Sequence, residues 1–195
     1  MFTISLCAAG CRRPAITGSS LCFVHQANPA LETERIAGII AHGTAIKDLC
    51  APGMCFEGNN FSGRQLFSCN FREAVFSNCT LGGTVMRMCF FDFAEFDHCD
   101  FSKTDLQFVS FAGAVFRNCV FEGSDIVHVN FLGASISGSS FSGSNLYNSR
   151  FINAELKQSD FSNCNLKRVY FINAREKEII FKSSNTAEAV FELEE

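Results

Sequence analysis

Cut into fives, residues 86–121 read MRMCF, FDFAE, FDHCD, FSKTD, LQFVS, FAGAV, FRNCV and a final F, and every block opens on a large apolar residue. The same rule runs from Phe56 to Phe171 without an insertion or deletion: all 24 positions are apolar and 15 are Phe. At 47% hydrophobic composition, chance gives such a run roughly once in 10^8 tries. A helix repeats near 3.6 residues and a flat strand every two, so neither explains a period of five.

A second pattern lies two residues before each of these central positions. From Cys69 onward it holds only small or medium residues, among them Ala74, Cys79, Thr84, Cys89, Val109, Ser124 and Ala134. The remaining three positions are mostly polar or glycine. A chain that turns a corner every five residues, pointing one large and one small side chain inward, gives this pattern. Blocks such as CNFRE (residues 69–73), TDLQF (104–108), SDIVH (124–128), SNLYN (144–148), SDFSN (159–163) and CNLKR (164–168) carry it. They resemble the A-[DN]-L-x-x motif of the pentapeptide-repeat family, here in a Phe-rich version over about two-thirds of the chain. The resemblance implies an all-β fold: a right-handed, four-sided β-helix solenoid with four pentapeptides per coil.

Four fives make a period of 20, and the sequence has it. Positions 74, 94, 114, 134, 154 and 174 are all Ala, and 71, 91, 111, 131, 151 and 171 are all Phe. Leu66, Met86, Leu106, Ile126, Leu146 and Leu166 are all aliphatic. The expected organisation is therefore a Cys/His module at 1–27, a helix and N-terminal cap at 28–53, about six coils over 54–174, and a C-terminal cap at 175–195. Asn28, Pro29 and Gly43 are start and stop signals for the helix, whose apolar face is Leu31, Ile36, Ile39 and Ile40. Residues 175–195 keep the register at Phe181 and Phe191 but place Glu176 and Thr186 centrally, so either an imperfect further coil or a helix closes the rod. Solenoid ends are open edges that need caps, and members of the family often dimerise through the C-terminal end.

Cys7, Cys11, Cys22 and His25 form C-x3-C-x10-C-x2-H, with turn residues between the two pairs. Four soft donors in two short-range pairs suit tetrahedral zinc, and a site with four protein ligands is structural rather than catalytic. The run resembles the short zinc-binding knuckles at the starts of many bacterial proteins. Of the chain's 11 cysteines, Cys69, Cys79, Cys89, Cys99, Cys119 and Cys164 fall on the inward small position and read as core filler. That removes the argument for a disulfide scaffold, and no signal peptide or membrane span is evident, so a cytoplasmic location is expected.

No catalytic set emerges, and the expectation is a protein that is not an enzyme. His98 and His128 lie outward with no nucleophile in motif spacing. Net charge is −4, which disfavours direct nucleic-acid binding. Two surface features point to protein partners. Leu132, Ile152 and Ile172, with Tyr170 beside them, should stack as an exposed apolar line. Asp92, Glu95, Asp97, Asp100 and Asp105 form an acidic cluster relieved in sequence only by Lys103. The expectation is a rigid protein–protein interaction scaffold. Its alternative is a DNA-mimic modulator of DNA gyrase, as in the quinolone-resistance branch, from which this chain departs by its balanced repeat charge and lack of loop insertions.

Overall fold

The computed structural model describes residues 5–192. Among them, twelve three-residue strands wind into a right-handed, four-sided β-helix preceded by a single α-helix. We name the faces by their central residues in the second coil: face A at Leu66, face B at Phe71, face C at Phe76 and face D at Leu81. Every pairing between these strands is parallel at a separation of 20 residues. On face A, Ala45–Lys47 pairs with Gln65–Phe67, and the series continues through Val85–Arg87 and Asp105–Gln107 to Asp125–Val127. On face C a seven-stranded sheet runs from Cys55–Glu57 to Arg175–Lys177. Faces B and D are joined by single parallel bridges such as Asn70↔Phe90 and Asn60↔Thr80.

The solenoid is longer than the apolar run predicts. Its first coil opens at Ile46, paired with Leu66, and takes in the buried Ala51. At the other end Glu176 keeps its strand position, pairing with Leu156, although it is exposed. Phe191 stacks on Phe171 with centroids 5.2 Å apart. A 3-10 turn, Thr186–Glu188, is spliced into this register, so the chain closes with a coil rather than a helix. Counting from Ile46, seven coils stand about 34 Å tall at ~4.8 Å per coil.

The core is ordered in columns. On face B the rings of Phe71, Phe91, Phe111, Phe131, Phe151 and Phe171 stack with neighbouring centroids 4.6–5.3 Å apart. Rings on adjacent faces meet edge-on, as Phe96 does Phe101 at 5.2 Å and 73°. Offset and edge-to-face contacts are the two arrangements that ring quadrupoles favour.

The small inward residues do more than fill space. Ser124, Ser144 and Ser149 donate to the carbonyls of Phe101, Phe121 and Ile126, each 23 residues earlier. The thiols of Cys89, Cys99, Cys119 and Cys164 donate to carbonyls at the same offset. Cysteine and serine are thus interchangeable here because both supply a hydrogen-bond donor beside a coil-to-coil ladder. Burial pushes the Cys164 thiol up to about 11, which keeps the proton that it donates.

Each corner costs one residue with positive φ. It falls two positions after each central residue, and the non-glycine examples lie between 49° at Gln158 and 62° at Ser183. Glycine, asparagine and other polar residues fill most of these positions. Met88, Phe93 and Phe108 are the large apolar exceptions among the described corners, and they are 52%, 67% and 59% exposed.

The helix, Pro29–His42, starts where Asn28 Oδ1 accepts from the Leu31 N–H at 3.2 Å. It buries Ile36, Ala37 and Ile40 against the first coil and so covers that open edge. Leu31 and Ile39, expected on the same face, are exposed instead. The buried trio follows i, i+1, i+4, a narrower stripe than four apolar residues suggest.

The inward hydroxyls supply a paired test. Ser124 accepts from the Thr104 N–H as well as donating, so Ser124→Val should cost ~1–2 kcal/mol, read as a lower urea midpoint. Thr84 Oγ1 is buried with no hydrogen-bond partner, so Thr84→Val should be neutral or stabilise by up to ~1 kcal/mol. At the corners, Lys103→Gly should raise the midpoint by an amount worth up to ~1 kcal/mol, because Lys103 sits at φ 56°. A fall would contradict the strain argument.

Candidate functional site: the Cys/His cluster and the faces of the rod

The N-terminal segment folds as a compact loop. An antiparallel bridge, Leu6↔Pro14, brings its ends together, and the Cys7 N–H donates to the Arg13 carbonyl at 2.9 Å. Gly10, at φ 78°, closes the turn between the first two cysteines, where its N–H donates to the Cys7 carbonyl. Cys22 leads into the 3-10 turn Phe23–His25, whose geometry sets His25 beside it.

These turns bring all four predicted ligands together. Cys7 Sγ and Cys22 Sγ each lie 3.4 Å from His25 Nδ1, and Cys11 Sγ is 3.6 Å from Cys22 Sγ. All four donor atoms fall within 4.8 Å of one another. The edges of a tetrahedron with ~2.3 Å Zn–S and ~2.0 Å Zn–N bonds are ~3.5–3.8 Å, close to the three shortest of these separations, so this Cys3His set could hold a metal ion. Backbone N–H groups, chiefly that of Cys22 and then Ala9, lower the Cys7 thiol to about 6 and favour the thiolate a metal needs. Burial acts the other way on Cys22.

The other donors stand apart. His42 Nδ1 donates to the Gly38 carbonyl in its own helix, and Cys50 Sγ accepts from Asn70 Nδ2. His98 pairs with Asp97 at 3.0 Å, whereas His128 lies flat on Phe108 at 5.0 Å and bonds to Asn148. The two histidines occupy different corners and share no chemistry.

The module is fixed to one side of the rod. The Thr17 N–H donates to the Cys50 carbonyl at 2.8 Å, and the Cys50 N–H returns a bond to Thr17 Oγ1 at 2.7 Å. Phe23 and Pro14 border the same groove as Pro52 and Gly53. The module therefore covers face B at the first coil. Below it opens a cleft of about 320 Å³, with Thr17 and Gly18 on the module side and Asn70, Arg72 and Phe90 on the rod side.

The acidic residues do not form one face. Glu95 and Asp97 flank the strand on face C, Asp105 opens one on face A, Asp92 lies on face B and Asp100 on face D. They wrap around the rod. Three of the five are also neutralised from neighbouring coils, which linear inspection misses: residues about 20 apart in sequence are adjacent in space. Arg72 holds Asp92 at 2.7 Å, Arg117 holds Glu95 at 3.1 Å, and Arg87 pairs with Asp105. Asp100 caps its own corner by accepting from the Ser102 N–H.

Leu132, Ile152 and Ile172 lie one above another. The N–H groups of Gly133 and Asn153 donate to the carbonyls of Ile152 and Ile172, so Leu132, Ile152 and Ile172 succeed one another along face B. Leu132 is exposed; Ile152, Tyr170 and Ile172 are half-buried. Above Ala112 the line ends at Asp92, which Arg72 holds, while the ring of the adjacent Phe93 lies over Gly113. Phe93 escaped the sequence reading because it sits at a corner, not in the Leu132 position. Its signal was a bulky residue at a corner where the later coils of the same face carry Gly113, Gly133, Asn153 and Asn173.

A family model described as pentapeptide repeat region matches residues 114–191, and one for pentapeptide repeats (8 copies) matches 69–107. Similar solved structures include HetL, a pentapeptide repeat protein involved in heterocyst differentiation regulation from the cyanobacterium Nostoc sp. strain PCC 7120. It is 13% identical over 81% of this chain and 95% of its own, with a TM-score of 0.37. Full-length QnrB1, a plasmid-mediated fluoroquinolone resistance protein, is 20% identical over 75% of this chain and 81% of its own, with a TM-score of 0.43. Rfr23 from the cyanobacterium Cyanothece 51142 is 14% identical over 76% and 98%, with a TM-score of 0.38. A comparison with curated proteins gives no match. The repeat models span the coils whose 20-residue register the structure displays, and the chain belongs to the pentapeptide-repeat family.

Proposed function

We propose that this protein is a non-enzymatic protein–protein interaction scaffold: a rigid rod that presents face B to a protein partner, with a metal-bound module at its head. The observation that carries the reading is the apolar line on face B. From Ser110 to Ile172 the outward residues flanking the central Phe column carry one charge, that of Arg150. Contiguous apolar surface on a soluble protein is a recurrent mark of an interface. The rigid stacking beneath it favours a preorganised docking surface, which loses little entropy on binding. The acids paired around the rod do not make the continuous charged face that a duplex mimic requires, so the geometry favours the scaffold over the gyrase-directed alternative.

The Cys3His cluster would hold a structural zinc ion. Four protein donors leave no open coordination position, so the ion would fasten the module rather than supply chemistry.

Two measurements bear on these readings. Elemental analysis of the purified chain should find about one zinc per molecule, lost in Cys22→Ser and kept in Cys50→Ser. A metal-free wild type would remove the centre. Affinity capture should enrich partner proteins on the wild type and lose them on Leu132→Glu, while Gln107→Glu, on face A, keeps them. Identical capture by the wild type and Leu132→Glu would exclude face B.

A further inference from the structure

We propose that face B carries an anion pocket at Arg150, which takes a carboxylate side chain of a protein partner while the partner's neighbouring apolar side chains lie on Leu132 and Ile152. The proposal rests on reading face B as the docking surface and names the chemistry of what docks there.

The pocket holds about 210 Å³ and opens beside the apolar line, at the corner between faces A and B. Phe108, His128, Val129, Asn130, Asn148 and Arg150 line it. None of them is acidic. Asn130 Oδ1 accepts from the Leu132 N–H at 3.1 Å, which leaves its amide NH2 as a donor. Asn148 Nδ2 donates to His128 Nδ1 at 2.6 Å, and an imidazole that accepts there carries its proton on Nε2. The ring is held flat on Phe108, with centroids 5.0 Å apart. The lining is therefore rich in N–H donors and free of carboxylates, the composition that an anion requires.

What selects a carboxylate is the way the rod treats its other arginines. Arg72, Arg117 and Arg175 hold Asp92, Glu95 and Glu155 of an adjacent coil at 2.7, 3.1 and 3.4 Å, and Arg87 pairs with Asp105. Arg168 reaches the Tyr147 hydroxyl at 3.3 Å. Arg64 lies on the inward track. Arg150 is the outward arginine of the rod whose side chain has no partner among the described residues. Its neighbours explain why. It is bridged to Asn130 in the coil above and to Tyr170 in the coil below, and Asn148 and Ile152 flank it in its own coil. Where the other arginines find an acid, Arg150 finds amides, a phenol and an aliphatic chain. A guanidinium forks onto a carboxylate through two parallel hydrogen bonds. One supplied from outside completes here the pair that the other coils make internally.

The spacing limits the partner further. Arg150 and Ile152 are two residues apart along one coil, about 6.5–7 Å, and Leu132 lies one coil, about 4.8 Å, from Ile152. A segment that matches this pattern carries Asp or Glu close to a bulky apolar residue, two positions away if extended and three or four if helical.

A random dodecapeptide display library, selected on the full chain, supplies the probe. Peptides enriched on the wild type and lost on Leu132→Glu should carry an acid within four positions of a bulky apolar residue. By fluorescence anisotropy, a synthetic copy of the leading peptide should bind Arg150→Glu at least about tenfold more weakly. A second copy with Lys in place of the acid should prefer Arg150→Glu to the wild type. Arg175→Gln, which removes an arginine on face C, should bind the first copy as the wild type does. Circular dichroism checks that the variants fold. Peptides that depend on Leu132 but lack an acid, or that ignore Arg150→Glu, overturn the pocket and leave face B standing as the docking surface. A phosphoserine copy that binds at least about tenfold tighter than the carboxylate overturns the carboxylate in favour of a phosphate. A library that yields no Leu132-dependent peptide also overturns the proposal, while loss of captured proteins with Leu132→Glu would still support face B.

Discussion

Each coil has to turn four corners in 20 residues, and each corner needs a residue in the left-handed region. This requirement sits beneath everything else in the molecule. Turning at a fixed interval lets one coil lie on the next in register, so that the N–H of Phe111 meets the carbonyl of Asn130 and the N–H of Phe131 meets that of Arg150. The ladder pairs the backbone groups that close packing removes from water. It also forces like over like, because a residue's neighbour is always the one 20 positions away. A Phe column can therefore exist only if the corner spacing never slips.

That constraint explains which parts of the fold were legible. A strict interval leaves a strict sequence pattern, so the coils from Phe56 onward could be read from periodicity alone. The first coil could not. Ala51 is too small to register as a central residue, and Leu49, Cys50 and Pro52 do not resemble the repeat around it, yet Asp48 and Asn70 continue the same ladder. The corner rule was also hidden, since lysine, glutamate and histidine occupy positions that only backbone geometry identifies as left-handed. Serine and cysteine on the inward track read as packing. Their role as donors depends on carbonyls 23 residues back, a distance that local motifs do not reveal.

The Cys/His cluster was readable for the opposite reason: its ligands are near one another in sequence, in two short-range pairs. What the sequence withheld was where the module sits. Its attachment through Thr17 to Cys50 makes the four faces unequal, because it overhangs face B. The acidic residues show the converse failure. Clustered between positions 92 and 105, they look like a patch, but a solenoid spreads a 14-residue segment around most of its girth. It also brings Arg72, Arg87 and Arg117 alongside from adjacent coils.

Cysteine serves two ends in this chain, and the backbone decides which. In the N-terminal loop, N–H groups from Cys22 and Ala9 point at Cys7 and favour its thiolate. The loop's turns then gather three sulfurs and an imidazole around one point. Inside the solenoid the thiols of Cys79 and Cys99 donate to the carbonyls of Phe56 and Phe76. The next cysteine along the column, together with burial, pushes both up, so they stay protonated donors between the coil above and the coil below. The same residue type gathers with a histidine in a set that could hold a metal at the head of the molecule, and packs as a hydrogen-bond donor between coils in the rod. A cysteine's surroundings, more than the number of cysteines, separate these two roles.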